Sequence, residues 1–346
     1  MTCASKQVLK KFIQYQGNYE MNDVLVTVIT PVYNGSKFIA ETISSVLSQN
    51  FAQFEYIVVN DGSTDNTIDI LQTFISDTTS NLTVINQVNQ GEAISINNAL
   101  KIAKGKYFCV VCADDPVLPK FLYEMTMAME NSRNAVVAYP DWLMIDKDGK
   151  IIREVHTLPF SQKTLIADCC CIPGPGALIC RSAIDDNFFR NPKYRFTSDY
   201  ASWLQLSLKG EFLRVPYFLA QWRQHPNQAT RVAVGRLLSI EIQVVISDFF
   251  ANDSLEIKVR RWKRRSVAFS QYYAGLQKLQ DPTIPGRRLM ISSLIKSPPH
   301  RVRRATHSRN VFAILAVIFL PYRLRAGTRN VQNKISKLIQ ISRQQD

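Results

Sequence analysis

The chain has 346 residues, of which 46% are apolar, so it can bury a substantial core and a globally disordered chain is excluded. Its net charge of +14 is unevenly distributed. From residue 258 to the last residue, twenty Lys or Arg stand against two acids, which gives +18, and the preceding residues therefore carry −4. A basic C-terminal region favours partners that carry phosphate, either anionic lipid headgroups or nucleic acid.

The seven cysteines do not form a disulfide pattern. Their number is odd and three are adjacent at 169–171, which suits a reducing cytosol. Cys109 and Cys112 have the spacing of a zinc or redox pair, but they lie in an apolar run where strand residues face alternate sides. We interpret them as small buried hydrophobic residues. Because the N-terminus also has no apolar segment of signal-peptide length, we predict a cytoplasmic location.

The first third of the chain alternates between strand and helix patterns. A β-branched run at 24–30 predicts a strand buried on both faces, which Pro31 should end. The later elements, in chain order, are helix 36–50, strand 54–60, helix 64–75, strand 82–87, helix 91–105 and strand 107–113. This alternation predicts an α/β fold with a mainly parallel central sheet flanked by helices.

After residue 115 the alternation stops. The patterns predict helix 119–131, a hairpin centred on 147–149, a Gly-rich loop at 172–177, helix 197–210 and strand 212–225. Beyond about residue 232 the chain becomes helical and basic. We therefore predict an N-terminal extension over 1–22, a main domain over 23–231 and a basic helical region over 232–346.

Three polar clusters follow strands of the predicted sheet. Residues 31–34 end the first strand, 60–63 end the second and 113–115 end the fourth. Ligands of open parallel sheets bind at the carboxyl ends of the strands. The sequence therefore predicts one binding rim that is built from these three clusters.

Three segments carry a family resemblance. ITPVYNGSKFIAETISSVLSQ, VVNDGSTDNT and NQGEAISINNALKIAKGKYFCVVCADDPVLP together resemble glycosyltransferase family 2, from about residue 24 to 230. The resemblance implies the GT-A fold. It also implies an inverting enzyme that moves a sugar from a nucleotide-diphospho-sugar donor to a hydroxyl of a glycan or lipid-linked acceptor, as in bacterial cell-surface polysaccharide synthesis.

For the donor site, the resemblance assigns Asp61 to the uracil ring, whose N3–H donates to a carboxylate that can only accept. UDP is then the favoured nucleotide, and dTDP presents the same N3–H. The alternative is that Asp61 only shapes its own turn. The residues expected to bind the donor are Pro31, Tyr33, Asn34, Asp61, Gly62, Asp114 and Arg223.

For a metal, the resemblance implies Mg²⁺ or Mn²⁺ on the donor diphosphate, held by Asp114 and Asp115 with His225 as a further ligand. Cys112 stands where many relatives have another Asp, which leaves open which carboxylate contacts the metal. The alternatives are a solvated acidic turn and a histidine without a ligand.

The catalytic base is expected at Asp199, which matches the family carboxylate at the start of a helix. A base there would accept the proton of the acceptor hydroxyl. The alternative is an acid that only complements the helix dipole. The Gly-rich loop at 172–177 is expected near the acceptor, because Gly lets the main chain approach a ligand closely.

The basic C-terminal region flanks an apolar run at 311–320. Ten helical residues span about 15 Å against roughly 30 Å of hydrocarbon, so this run cannot cross a bilayer. It suits an interfacial helix on the anionic cytoplasmic face of a membrane. Nucleic acid is disfavoured because no basic-aromatic module is present. A further alternative is a degenerate, non-catalytic nucleotide-sugar-binding module, which Cys112 favours.

Overall fold

The computed structural model describes residues 24–75, 81–171, 173–185, 188–226, 228, 236–277 and 292. The predicted N-terminal extension and the apolar run at 311–320 lie outside these residues, as does the basic region after residue 277 apart from residue 292. No helix within the described ranges is long and apolar enough to cross a membrane.

Eight strands are present in the described residues. They are β1 (Val26–Val32), β2 (Phe54–Asp61), β3 (Leu82–Gln87), β4 (Tyr107–Val110), β5 (Ala135–Ile145), β6 (Ile151–Val155), β7 (Leu178–Cys180) and β8 (Glu211–Arg223).

Nine α-helices are present in the same residues. They are α1 (Ile39–Leu47), α2 (Thr67–Ile75), α3 (Glu92–Ile102), α4 (Phe121–Glu130), α5 (Gln162–Ala167), α6 (Ser198–Leu206), α7 (Arg236–Phe249), α8 (Ile257–Arg260) and α9 (Lys263–Gln277).

The strands form one sheet in the order β3-β2-β1-β4-β7-β5-β6, and β8 pairs with β5. The first four strands run parallel. The second half is mixed, because β7 and β6 pair antiparallel with their neighbours whereas β8 runs parallel to β5. The predicted α/β class and central sheet are confirmed. The order also makes β2, β1 and β4 neighbours, so that their carboxyl ends meet at one edge.

The end of β1 differs from its prediction. The strand continues through Pro31 to Val32, so the expectation that Pro31 ends it is wrong. Proline lacks the N–H that a two-sided ladder requires. Here β4 pairs with β1 only as far as Ile29, and beyond that residue only β2 continues alongside. On the β4 side of β1, no strand of the described residues lies beside Pro31, so the N–H that proline lacks is not needed there.

The main core lies between the sheet and helices α1 and α4. The predicted apolar face of α1 is buried at Ile39, Ile43 and Val46. These side chains belong to one cluster with Val28 and Tyr56 of the sheet. Each fully buried aliphatic side chain contributes about 1.5–3 kcal/mol of transfer free energy, so this layer fixes the strands whose ends carry the polar clusters.

A buried ion pair links β5 to β8. Asp141 accepts two hydrogen bonds from Arg214 Nη2, at 2.9 and 2.7 Å, and one from the Thr157 N–H at 2.9 Å. His156 Nδ1 lies 3.0 Å from Asp141 Oδ2. Burial alone would raise the pKa of Asp141, but hydrogen bonds from Thr157, His156 and Arg214 outweigh it and lower the pKa. The carboxylate is therefore held ionised within the sheet.

The described residues fall into two compact units. One comprises 1–160, 172–192 and 205–225 and contains the sheet; the other comprises 161–171, 193–204 and the chain from 226 onwards. In the second unit α9 packs on α7 and α5. There Arg265 binds Asp168 at 2.5 Å, and the Cys169 thiol donates to the Ser266 carbonyl at 3.4 Å. Within the described residues, the basic chain from 257 to 277 forms α8 and α9.

Candidate active site

The loops after β1 and β2 are tied together at the predicted rim. Asn34, at a positive φ of 52°, accepts from the Thr64 N–H at 2.7 Å, and its own N–H donates to Ser63 Oγ at 3.0 Å. Tyr33, beside it, is 53% exposed. The hydrogen bonds fix the backbone while the Tyr33 ring stays accessible, which suits a ligand-binding edge.

Asp65 strengthens the same junction. Its carboxylate accepts from the Ser36 N–H at 3.1 Å and from the Thr67 N–H at 3.0 Å. Burial would raise the pKa of Asp65, but these hydrogen bonds and the Thr67 hydroxyl lower the pKa to about 2. Sequence reasoning did not single out this residue, although an Asp at the start of a helix is a familiar capping signal.

Asp61 is 3% exposed and turns towards the loop between β3 and α3. Its Oδ1 accepts from Gln87 Nε2 and from the Gln90 N–H, both at 2.8 Å, and its Oδ2 accepts from the Gly91 N–H at 2.7 Å. A carboxylate has about four lone-pair sites, so these three bonds leave one on Oδ2. Asp61 therefore holds a neighbouring loop and keeps one acceptor site.

The turn around Asp61 is shaped by its neighbours. The side-chain Oδ1 of Asn60 accepts from the Ser63 N–H at 3.2 Å, so the Asx-type turn belongs to Asn60. Gly62 has a φ of 70°, and a Cβ there would lie 2.7 Å from the Asn89 main-chain nitrogen. Only glycine combines this conformation with so close a backbone approach.

Asp114 and His225 face each other after β4 and β8. His225 Nε2 lies 2.9 Å from Asp114 Oδ2, and the His225 ring packs on Phe38 with centroids 4.9 Å apart. Both side chains are partly exposed. The structure thus brings together a carboxylate oxygen and an imidazole nitrogen from positions 111 residues apart in the chain.

Asp115 points the other way. It is buried, and its Oδ1 accepts from the Arg223 N–H at 2.8 Å. Burial, and then the charge of Asp114, raise the pKa of Asp115 well above its ordinary value. The two adjacent carboxylates therefore differ in environment. Asp115 joins the loop after β4 to β8, whereas Asp114 is partly exposed and could contact a ligand.

The Arg223 side chain is 1% exposed. Its Nη2 donates to Glu41 Oε2 at 2.6 Å, its Nε donates to the Asp114 carbonyl at 2.9 Å, and its guanidinium lies 4.8 Å from the Phe38 ring centroid. Its strongest donors are thus satisfied by the protein. Glu41 and Phe38 were not recognised in the sequence, because Glu41 precedes Arg223 by 182 residues and no local pattern links them.

Cys112 is partly buried beside the acidic pair. Burial, and then the charge of Asp115, raise the pKa of its thiol well above the ordinary value. Within the part of the chain that the structure describes, no cluster of three or more His, Cys, Asp or Glu side chains could hold a metal ion. Among the side chains of these four types in the described residues, Asp114 and His225 are thus a pair and not a complete metal site.

Asp199 lies in the first turn of α6, in the second unit, and is exposed. Its Oδ1 accepts from the Tyr200 N–H at 2.7 Å. Before the helix, Glu241 of α7 accepts from the N–H groups of Arg195 at 2.6 Å and Phe196 at 2.7 Å. Glu241 thus fixes the segment that leads to Asp199, a role that the sequence did not reveal.

Comparisons with known proteins bear on this arrangement. The family model described as glycosyl transferase family 2 matches residues 27–188. An uncharacterized glycosyltransferase of Haemophilus influenzae is 30% identical over 223 residues, which cover 61% of this chain and 69% of the relative. TuaG of Bacillus subtilis, a glycosyltransferase assigned to teichuronic acid biosynthesis, is 31% identical over 192 residues, which cover 54% of this chain and 73% of TuaG.

Among solved structures, TarS residues 1–349 of S. aureus, crystallised with UDP-GlcNAc, superpose with a TM-score of 0.63 at 18% identity. The match covers 89% of this chain and 92% of the TarS chain. At this identity the likeness concerns the fold alone, and it confirms the GT-A-type architecture that the sequence resemblance implied.

Proposed function

The chain belongs to glycosyltransferase family 2, and we propose that it is an inverting, metal-dependent enzyme that transfers a sugar from a UDP-sugar to a hydroxyl of a glycan or lipid-linked acceptor. The observation that carries this proposal is the 2.9 Å contact between Asp114 and His225. This contact lies at the carboxyl end of the sheet. On the same edge, Tyr33 follows β1 and Asp61 is the last residue of β2.

Asp114 would supply the carboxylate oxygen that Mg²⁺ and Mn²⁺ prefer, and His225 would add a softer imidazole nitrogen as a further ligand. Two protein ligands leave coordination positions for diphosphate oxygens. When bound, the ion would offset the charge of the leaving diphosphate. We assign Asp115 a positioning role, since it is buried and holds the Arg223 N–H.

The nucleotide would lie along the rim. The remaining lone pair on Asp61 Oδ2 suits the N3–H of uracil or thymine, and Gly62 allows the main chain to approach a base. Pro31, Tyr33 and Asn34 would line the same edge. The guanidinium of Arg223 is engaged by Glu41, which favours a positioning role over the phosphate contact that the sequence suggested.

Asp199 is the proposed general base. A sugar hydroxyl becomes an effective nucleophile only when its proton is accepted in the transition state. Asp199 is an exposed carboxylate in the first turn of α6, where an acceptor hydroxyl could reach it. Asp199→Asn should abolish transfer and leave UDP binding intact. Near-normal turnover in this variant would remove Asp199 from the mechanism.

The relatives support the substrate class. TuaG is assigned to teichuronic acid biosynthesis and TarS was crystallised with UDP-GlcNAc, so a UDP-sugar and a bacterial cell-surface polysaccharide are the proposed donor and product class. The +18 charge after residue 257 supports peripheral association with anionic membrane. Sedimentation with phosphatidylglycerol vesicles tests this association, and equal binding to neutral phosphatidylcholine vesicles would refute it.

The first experiment is calorimetric titration with UDP, dTDP, GDP and ADP, each with and without Mn²⁺. We expect metal-dependent binding of UDP or dTDP that is lost in Asp114→Asn and His225→Ala. Asp69→Asn is the matched control, because Asp69 is an exposed acid in α2. No binding of any nucleotide, or equal binding in all variants, would contradict the proposed site.

One observation favours a second candidate, a non-catalytic nucleotide-sugar-binding module. Cys112 stands where the family resemblance implies an acidic residue, and its neutral thiol adds no charge beside Asp114. Both candidates predict UDP binding. Slow release of UDP from a UDP-sugar by transfer to water, abolished in Asp114→Asn, would establish the enzyme, whereas a bound and permanently intact donor would establish the module.

A further inference from the structure

A chain of hydrogen-bonded side chains leads from the exposed side of α3 to Asp61. Lys101 Nζ donates to Asn98 Oδ1 at 2.8 Å, and Asn98 Nδ2 donates to Gln87 Oε1 at 2.9 Å. Gln87 Nε2 then donates to Asp61 Oδ1 at 2.8 Å. Gln87 and Asp61 are cross-strand partners at the ends of β3 and β2. Asn98 and Lys101 are thus connected to Asp61 through Gln87.

The direction of every link in this chain is determined by its two ends. An ammonium group can only donate and a carboxylate can only accept. The two amides between them must therefore turn their oxygens towards Lys101 and their nitrogens towards Asp61. The amides of Asn98 and Gln87 both have this orientation. The Lys101 link is exposed and contributes little energy, so the inner links carry the argument.

The Gln87 amide is held in this orientation on both of its N–H groups. The second Nε2–H donates to Ser95 Oγ at 3.2 Å, and the Ser95 hydroxyl donates to the Gly91 carbonyl at 3.1 Å. Ser95 is fully buried. A rotated Gln87 amide would present its oxygen to the Asp61 carboxylate and its nitrogen to the Asn98 amide nitrogen. One orientation is therefore strongly favoured.

The orientation of Gln87 determines what Asp61 can bind. Gln87 Nε2 and the Gln90 N–H occupy both lone pairs of Asp61 Oδ1, and the Gly91 N–H occupies one lone pair of Oδ2. These three donors fix the plane of the carboxylate and the direction of its last lone pair. Only a ligand atom that carries a hydrogen can bind there. Uracil and thymine have an N3–H, whereas N3 of cytosine has a lone pair and no hydrogen.

We propose that Gln87, oriented by Asn98, is a positioning residue that makes the base site select pyrimidines with an N3–H over cytosine. This inference rests on the proposed donor site at Asp61. Gln87 acts through Asp61, because it holds the carboxylate as a fixed acceptor. Cytosine in the same position would set two acceptors against each other. Its binding should be weaker by about 5- to 150-fold, the range for one buried polar group left unsatisfied.

The test is calorimetric titration of the full chain with UDP and with CDP, both in the presence of Mn²⁺. The readout is the ratio of the two dissociation constants. Both ligands carry the same ribose and diphosphate, so a change in protein charge or stability affects them alike. A residue with a purely structural role would weaken both ligands and leave the ratio unchanged. A positioning residue changes the ratio itself.

Asn98→Asp is the sharpest variant, because it keeps the shape of the side chain and replaces the donor that faces Gln87 with an acceptor. The Gln87 amide must then rotate and set its oxygen against Asp61. We expect weaker UDP binding and the loss of most of the 5- to 150-fold preference, about the effect of one unsatisfied buried group.

Asn86→Asp is the matched control for this variant. It adds the same charge one residue before Gln87, and its carboxylate can still accept from Asn60 Nδ2, which donates to Asn86 Oδ1 at 2.9 Å. The control should keep the wild-type ratio. An equal fall of the ratio in Asn86→Asp and Asn98→Asp would overturn the inference.

Gln87→Leu provides an independent variant, since it removes the amide and leaves Asp61 free to turn. It should lose the same preference. Urea unfolding identifies the variants that are folded, and a wild-type ratio in a folded Asn98→Asp or Gln87→Leu variant would overturn the positioning role.

Failure of this role is distinguishable from failure of the proposed function. Metal-dependent UDP binding with a ratio near one in the wild type, or with an unchanged ratio in the variants, overturns the positioning role alone. Absence of binding of both UDP and CDP overturns the proposed donor site together with the inference that rests on it.

Discussion

Glu41→Ala tests whether the buried Arg223 holds the site together. The guanidinium is 1% exposed, and Glu41 is the carboxylate that neutralises it, at 2.6 Å. In the variant, the Arg223 guanidinium would keep close contact with the Asp114 carbonyl at 2.9 Å and with the Phe38 ring at 4.8 Å. Two further main-chain carbonyls lie at the longer distances of 3.4 and 3.5 Å. A buried cation would be left without a charged partner.

The magnitude follows from the burial of the two partners. Removing one partner of a fully buried ion pair costs about 3–5 kcal/mol. The Glu41 side chain is 53% exposed, so water can reach Arg223 Nη2 in the variant and screens part of this loss. We therefore expect the free energy of unfolding to fall by about 1–3 kcal/mol. UDP affinity should fall as well, because Arg223 also holds the main chain at Asp114 and Asp115.

The assay is urea unfolding of the wild type, Glu41→Ala, Arg223→Met and the double variant. Glu124→Ala in α4 is the matched control, a helical Glu→Ala change away from this ion pair, and it should alter stability by less than about 0.5 kcal/mol. The double variant should be less destabilised than the sum of the single variants. A Glu41→Ala variant as stable as the control, or additive losses, would refute the positioning role.

Two further predictions concern single residues. In urea unfolding, Gly62→Ala should cost about 1–3 kcal/mol more stability than the control Gly149→Ala. Both glycines have a positive φ, but only at Gly62 would the added Cβ lie 2.7 Å from a main-chain atom. Equal losses in the two variants would contradict this prediction. Asp141→Asn should lower stability by about 2–4 kcal/mol at neutral pH. Because its pKa is lowered in the fold, the contribution of Asp141 is present above the ordinary carboxyl pKa near 4 and lost as pH falls through the lower folded value. The difference between wild type and variant should therefore shrink towards acid pH, and a constant difference would count against the assignment.

Much of the first half of the fold could be predicted from the sequence. Hydrophobic periodicity located β1 to β4 and the helices between them, because β1, β2 and β4 are largely buried on both faces and each helix shows one apolar face. The error at Pro31 has a physical reason. Its effect on a strand depends on which neighbour continues alongside it, and strand pairing is a property of the assembled sheet.

The edge of the sheet that carries the candidate site was predictable, but the environments of its acids were not. Parallel topology brings the ends of β1, β2 and β4 to one edge, and this much follows from pattern alone. The partner of Asp61 could have been anticipated in part, since Gln87 ends the neighbouring strand β3 by the same rule. Glu41 and Glu241 could not, because tertiary packing alone brings them to Arg223 and to the segment before α6.

Burial separates carboxylates that look equivalent in the sequence. Asp61 and Asp115 are turned inwards and accept main-chain N–H groups, so their first effect is to fix loops. The Asp114 side chain is partly exposed opposite His225, and it is the acid that we propose to meet a charged ligand. The roles of Asp114 and Asp115 depend on one another. A carboxylate oxygen and an imidazole nitrogen can share a metal only if the two main-chain segments that carry them are held at a fixed distance. Asp115 and Arg223 fix that distance by joining the loop after β4 to the end of β8. The proposed metal site predicts that a substitution at Asp115 weakens metal binding through Asp114, even though the Asp115 Oδ1 faces the protein.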